Sequence, residues 1–264
     1  MNIAFRPLRH VALLAVLAAI PGGLAATTVD RTLPAAAAVR VSVEIVSGSV
    51  RIVTWERDEV RVLGTLGDDV RGLEIEGGAR EVEISLDLPR GRGSRRISAD
   101  LEIHVPEGAS LEIETVSADI DVAAVTGEVE LESVSGDVQV ASGPSSIEVS
   151  SVSGEISIEG TRPVSRVEVE VVSGNVRLAA TPSPGAKIAI EAVSGDAQLV
   201  LPATVSARFD LETFSGSISS DFGPSTAASS GILPGKEAEF TTGKGEARIS
   251  VEVFSGRIRV IRAE

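Results

Sequence analysis

A short phrase, Val-Ser-Gly followed in most copies by an acidic or polar residue, recurs along the chain at a spacing that leaves few folds open. It reads Val46-Ser47-Gly48, Val116-Ser117-Ala118, Val125-Thr126-Gly127, Val134-Ser135-Gly136, Val152-Ser153-Gly154, Val172-Ser173-Gly174, Val193-Ser194-Gly195, Phe214-Ser215-Gly216 and Phe254-Ser255-Gly256. From Val116 onward the steps are 9, 9, 18, 20, 21, 21 and 40 residues, a period near 20 with one half step and one double step. A fixed period of this size belongs to repeat architectures, in which each unit buries its apolar face only against its neighbours. The chain is therefore expected to be a stack of similar coils, not a globule around a pocket.

Alternation inside each repeat identifies the element. Apolar residues fall at every second position in Val167-Glu168-Val169-Glu170-Val171, and the pattern resumes after each Ser-Gly, as in Asp137-Val138-Gln139-Val140 and Glu155-Ile156-Ser157-Ile158. Period-two alternation with β-branched residues marks strands with one face buried and one wet. Pro and Gly punctuate the chain between repeats, at Val105-Pro106-Glu107-Gly108, Gly143-Pro144, Arg162-Pro163 and Pro182-Ser183-Pro184-Gly185, and proline cannot donate to a ladder, so these are corners. The predicted fold is all-β: a β-solenoid or β-helix-like stack with two-strand coils of about 20 residues, each advancing the stack by roughly 4.8 Å.

The first 25 residues read as a secretory signal peptide. Arg6 and Arg9 precede the apolar run Val11 to Ile20, and small residues follow; ten apolar residues are too few for a permanent span. Export to the periplasm, cell surface or medium is expected, with no transmembrane segment after cleavage. Residues 26–40 read as a linker, 41–110 as an irregular opening β section, and 111–264 as the repeat solenoid with a Ser/Gly/Pro-rich loop inserted at 219–235. The chain has no cysteine, so neither disulfides nor a lipoprotein anchor are expected. Without Arg6 and Arg9 it holds 22 basic and 38 acidic residues, a net charge of −16. That balance argues against nucleic acid and anionic lipid as broad partners. The arginine-rich stretch Arg90-Gly91-Arg92-Gly93-Ser94-Arg95-Arg96 is a local exception, read as a solvated loop in preference to a docking point for an anionic polymer.

Candidate chemistry is thin. A serine recurs at each bend, but the exported chain holds one histidine, His104, set in an alternating strand, and no Gly-x-Ser-x-Gly elbow. No catalytic, cofactor-binding or metal-ligating residue is assigned. The repeat bends instead read as structural: Ser47, Gly48, Ser117, Gly127, Ser135, Gly136, Ser153, Gly154, Ser173, Gly174, Ser194, Gly195, Ser215, Gly216, Ser255 and Gly256. The serines would form a hydroxyl ladder to backbone groups, and the glycines would supply a positive φ. Acidic residues follow the glycine at Asp119, Glu128, Asp137, Glu155 and Asp196; a solvated edge is preferred over a calcium column because Ser49, Asn175, Ser217 and Arg257 interrupt it. Trp55 reads as an apolar plate over one end of the stack. The Val or Phe that opens each phrase lies out of phase with the incoming strand, so it either joins the core through a kink, the favoured reading, or forms an exposed apolar ladder.

Thr54-Trp55-Glu56-Arg57-Asp58-Glu59-Val60, the Val105-Pro106-Glu107-Gly108 turn, the Val-Ser-Gly-Asp-Val phrases and the closing Gly243-Lys244-Gly245-Glu246-Ala247-Arg248-Ile249 together resemble the bacterial β-strand-repeat family of unknown function labelled putative adhesin. The resemblance covers roughly residues 29–264. It implies an exported, non-enzymatic β-repeat protein of the cell envelope with an adhesin-like or scaffolding role and a protein or polysaccharide partner, and it carries over no ligand-binding residues. The alternative is a carbohydrate-active enzyme or lectin on a β-helix scaffold. The absence of Tyr and the single Trp weigh against it.

Overall fold

A computed structural model describes residues 27–88, 97–123, 125–141, 143, 145–223, 227–228 and 235–263. Residues 1–26, which hold the segment expected to be a signal peptide, the Arg90–Arg96 stretch and most of the 219–235 insertion lie outside the described residues. Within them every regular element is a strand. In chain order these are β1 (Thr27–Pro34), β2 (Arg40–Trp55), β3 (Glu59–Leu66), β4 (Gly72–Gly78), β5 (Glu81–Asp87), β6 (Ala99–Pro106), β7 (Ser110–Ala123), β8 (Glu128–Ser135) and β9 (Val138–Ala141). Then follow β10 (Ser146–Ser153), β11 (Ile156–Ser173), β12 (Val176–Ser194), β13 (Ala197–Leu201), β14 (Ala207–Ser220), β15 (Ala227–Ala228), β16 (Lys236–Thr241) and β17 (Ala247–Arg262).

Parallel pairing joins each repeat to the next. On the side leading into the bends, Leu131 pairs with Val149, Val149 with Val169, Val169 with Ile190 and Ile190 with Val251. On the side leading out, Val138 pairs with Ile156, Ile156 with Val176, Val176 with Ala197 and Ala197 with Ile258. All of these side chains are buried. Both sets belong to one core, because the alternating Val and Ile of each side have no other dry surface to meet. The long strands β2, β7, β11, β12, β14 and β17 run through bends or corners, β11 and β12 with register shifts near Pro163 and Val164, and they join both sides of the stack into one sheet.

Spatial order departs from chain order at both ends. β2 lies between β5 and β6 on one side and β7 on the other, all parallel to it. At the far end β17 lies between β12 with β13 and β14. Beyond these inserted coils the strands turn antiparallel: β3 on β6, β1 on β3 and β4 on β5 at one end, β16 on β14 and β15 on β16 at the other. Two expectations are corrected here. Residues 27–34 are a paired strand and not a linker, and β2 is a regular coil, with Ser47 opposite Ser117 and Gly48 opposite Ala118, set one place in from the start of the stack. The double step before Phe254 is accounted for in the same way, since the intervening chain leaves the rhythm to lay β16 antiparallel on β14.

Candidate binding face

Each bend is held by three columns of residues one coil apart. The first is glycine. Gly48, Gly136, Gly154, Gly195 and Gly256 have positive φ, whereas Gly174 and Gly216 lie outside the left-handed range. What the column shares is closeness: a Cβ on Gly174 would sit 2.0 Å from the Gly154 carbonyl oxygen, and one on Gly195 1.8 Å from that of Gly174. Close stacking across the bend, more than φ, is what excludes side chains. Ala118 stands in this column opposite Gly48, where its own methyl is buried. Gly127 does not belong to it. Val125-Thr126-Gly127 forms the opposite corner, where the Thr126 amide donates to the Glu107 carbonyl at 2.8 Å, and the half step in the period is the distance between corners.

Serine forms the second column. Ser135 Oγ donates to the Val116 carbonyl at 3.2 Å and Ser153 Oγ to the Val134 carbonyl at 3.3 Å, each reaching back one coil. Ser117 and Ser135 share a hydroxyl–hydroxyl bond of 2.9 Å, and Ser47 donates to the Ile97 carbonyl. Ser173, Ser194, Ser215 and Ser255 stand in the same register. The third column is the residue after glycine. Asp119 Oδ1 accepts the Asp137 amide at 3.0 Å, Asp137 Oδ1 the Glu155 amide at 2.9 Å, Asn175 Oδ1 the Asp196 amide at 3.0 Å, and Asp196 Oδ1 the Arg257 amide at 3.0 Å. Asp and Asn, short side chains with an acceptor oxygen, make this bond, which explains why Asn175 substitutes for aspartate; Glu155 and Arg257 share the column as amide donors. The Arg257 hydrogen bond holds the Asp196 carboxyl below its ordinary value. No group of three or more His, Cys, Asp or Glu placed to hold a metal occurs among the described residues.

Outside the bend the surface changes character. Val116, Val134, Val152, Val172, Val193, Phe254 and Phe214 are 47 to 55 % exposed, and among the described residues they are the only large apolar side chains that are. The core place favoured by the sequence is corrected: no kink intervenes, so strand alternation sends these residues outward. The preceding residue points in, and Thr115, Ser133, Ser151 and Thr213 are buried there. Ser133 and Ser151 donate to the Ser135 and Ser153 carbonyls, and Thr213 to that of Gly256. The insertion of β17 puts Phe254 beside Phe214, whose rings stack 4.8 Å apart and 4° from parallel. With half-buried Val46 the line crosses eight coils, about 34 Å at the usual strand spacing.

Two residues before the ladder, on the same outer face, runs a column of glutamates that the sequence reading missed. Glu44 pairs with Glu114, Glu114 with Glu132, and the line continues through Ser150 to Glu170, Glu191, Glu252, Glu212 and Glu237. Its signal was present: glutamate stands three places before the serine in most copies of the phrase. Like charges directly opposite one another repel. Burial, with Asp210, Glu237, Glu252 and Glu239 close by, raises the Glu212 carboxyl. In the next column, burial and the charges of Glu148, Glu112 and Glu132 raise Glu130 against the opposing pull of Arg40. A groove of about 750 Å³ runs along the face, with Glu44 to Glu252 on one wall and Val46 to Phe254 on the other. One cation stands at the Phe214 end of the ladder, where Lys236 Nζ donates to the Gly216 carbonyl at 2.6 Å; Arg166, Lys187, Arg248 and Arg208 pair in register farther off, at the strand starts.

The remaining sequence candidates stand apart from this face. Trp55 is not a plate over the stack; it lies half-buried at a corner, its ring 5.2 Å from that of His104, with Nε1 donating to the Glu59 carbonyl at 2.7 Å and the Arg57 guanidinium 5.0 Å from its centre. His104 Nε2 is 2.8 Å from Glu102 Oε1. Among the described residues, no hydrogen bond joins a bend serine to this histidine.

An all-β parallel stack with inserted end coils and an exposed apolar edge is the class these features define. The chain belongs to the family described as Toastrack DUF4097, which matches residues 71–261. No curated protein matches it. Solved structures to which it is similar include a putative cell adhesion protein from Clostridium sporogenes (12% identity, 90% of this chain and 100% of that one, TM-score 0.37). Others are putative adhesins from Bacteroides fragilis (12% identity, 89% and 97% coverage, TM-score 0.44) and Parabacteroides distasonis (13% identity, 89% and 98% coverage, TM-score 0.43).

Proposed function

We propose that the protein is an exported, non-enzymatic binding or scaffolding component of the bacterial cell envelope, adhesin-like in role, which engages its partner through the ladder face. The observation that carries this reading is the confinement of every exposed large apolar side chain among the described residues to one line. Scattered surface hydrophobics are ordinary, but a contiguous row of them is costly in water and marks an interaction site. The basic-then-apolar opening residues support export, and no helix of the described residues is long and apolar enough to cross a membrane. The test is site-specific photocrosslinking of the full chain in intact bacteria, with the crosslinker at Val152 on the ladder or at exposed Gln139 on the side leading out of the bends, followed by fractionation. Adducts from position 152 alone, in envelope or medium fractions, are expected. Adducts from both positions equally, or a protein retained in the cytoplasm, would contradict the proposal.

A further inference from the structure

We infer that the ladder groove is a seat for a cationic amphipathic α-helix of another polypeptide, laid along the stack with its apolar stripe on the Val and Phe line and its Lys or Arg side chains over the glutamate column. The inference rests on the binding role proposed above and names the chemistry of the partner. Two features of the face are unfavourable in the free protein: a row of half-exposed apolar side chains, and beside it a row of self-repelling carboxylates with Glu212 raised by its neighbours. One partner relieves both, covering the first and neutralising the second, if its apolar and cationic groups run in parallel lines.

Geometry selects a helix over an extended strand. Coils repeat at about 4.8 Å, close to the 5.4 Å turn of a helix, whereas same-face residues of a strand recur near 6.8 Å. A strand lying on side chains would also leave its backbone groups without partners, while a helix satisfies its own. A ladder of about 34 Å corresponds to a helix of roughly 22 residues. Anionic partners are excluded by the same column of charge. A second copy is disfavoured because the chain carries a net charge of −14, so ladder-to-ladder docking brings two anionic faces together.

The experiment uses the full chain and a fluorescent peptide of about 22 residues with Leu at helical spacing and Lys elsewhere. Fluorescence anisotropy is measured with this peptide, with one of the same composition shuffled off the helical period, and with a Leu/Glu version. Expected are binding of the first alone, weakening as salt rises, and a gain of helical circular dichroism on mixing. The triple variants Val134→Ser/Val152→Ser/Val172→Ser and Glu132→Gln/Glu170→Gln/Glu191→Gln are each expected to weaken binding by about tenfold or more. The single variant Val152→Ser, at an exposed position, gives a smaller loss in the same direction should a triple variant misfold. Equal binding of the shuffled peptide, unchanged affinity in Val152→Ser and the glutamine triple, or no binding would overturn the inference. So would a wild-type dimer, seen by sedimentation and lost in Val152→Ser, since the groove would then belong to a second copy. Crosslinking from position 152 in cells without peptide binding would sink the helix assignment and leave the binding role intact.

Discussion

At the scale of single residues, the bend glycines separate two physical demands that a sequence presents as one. The repeated Ser-Gly is legible from the chain, and so is its role as a bend, but the reason for glycine is not. Gly174 needs no left-handed backbone; it needs room, because a methyl there would lie 2.0 Å from the Gly154 carbonyl. We expect Gly174→Ala to destabilise the protein by roughly 1–3 kcal/mol through this overlap. Gly78→Ala, where nothing lies within 4 Å of the added carbon, should stay within about 0.5 kcal/mol of wild type. Thermal melts of the two variants decide the matter, and equal melting temperatures would remove the steric account. Periodicity cannot reveal this distance, since it reports which residue recurs and not how closely the neighbouring carbonyl approaches.

Among the elements, the strands leading into the bends stack glutamate on glutamate, and these carboxylates give the protein a pH signature. Burial first, and then Glu148, Glu112 and Glu132, raise the Glu130 carboxyl above its unfolded value. A group shifted in that direction holds its proton more tightly in the fold, so it opposes folding once ionised and ceases to do so when protonated in both states. Glu130→Gln should therefore raise the melting temperature at pH 7, and the difference should close by about pH 3.5, below the ordinary glutamate range. A difference that persisted at acid pH would point to packing as its source. Asp196 has the opposite sign: Arg257 holds its value down, so its stabilising contribution is present above the ordinary aspartate value and is lost as pH falls through the lowered one. The strands themselves are legible from alternation alone. The outward direction of Val134 is legible too, three places after inward Leu131; the core place required a kink, which the strand does not make.

For the whole molecule, a stack of coils that touch only their neighbours should fail locally before it fails entirely. Val169 is fully buried between Val149 and Ile190, so Val169→Asp places an unpaired carboxylate in the core at a cost of several kcal/mol. Hydrogen exchange should rise around residues 147–200 while β2 and β3 stay protected; uniform loss along the chain would show a single cooperative unit instead. The parallel stack was readable from the period, but the interleaving at its ends was not, because a repeat phrase fixes how one coil resembles another and not which coil it meets. That interleaving bears on synthesis. β14 ends at Ser220 and the strand that seats it, β17, begins at Ala247, so 26 residues separate them as the chain is made. β14 reaches the growing stack before the neighbour that will lie between it and β12. A stack that simply zipped in the order of translation would place β14 against β12 and leave no slot for β17. That end can therefore close only after β17 has emerged, so the ribosome delivers the keystone later than the strand it locks in place.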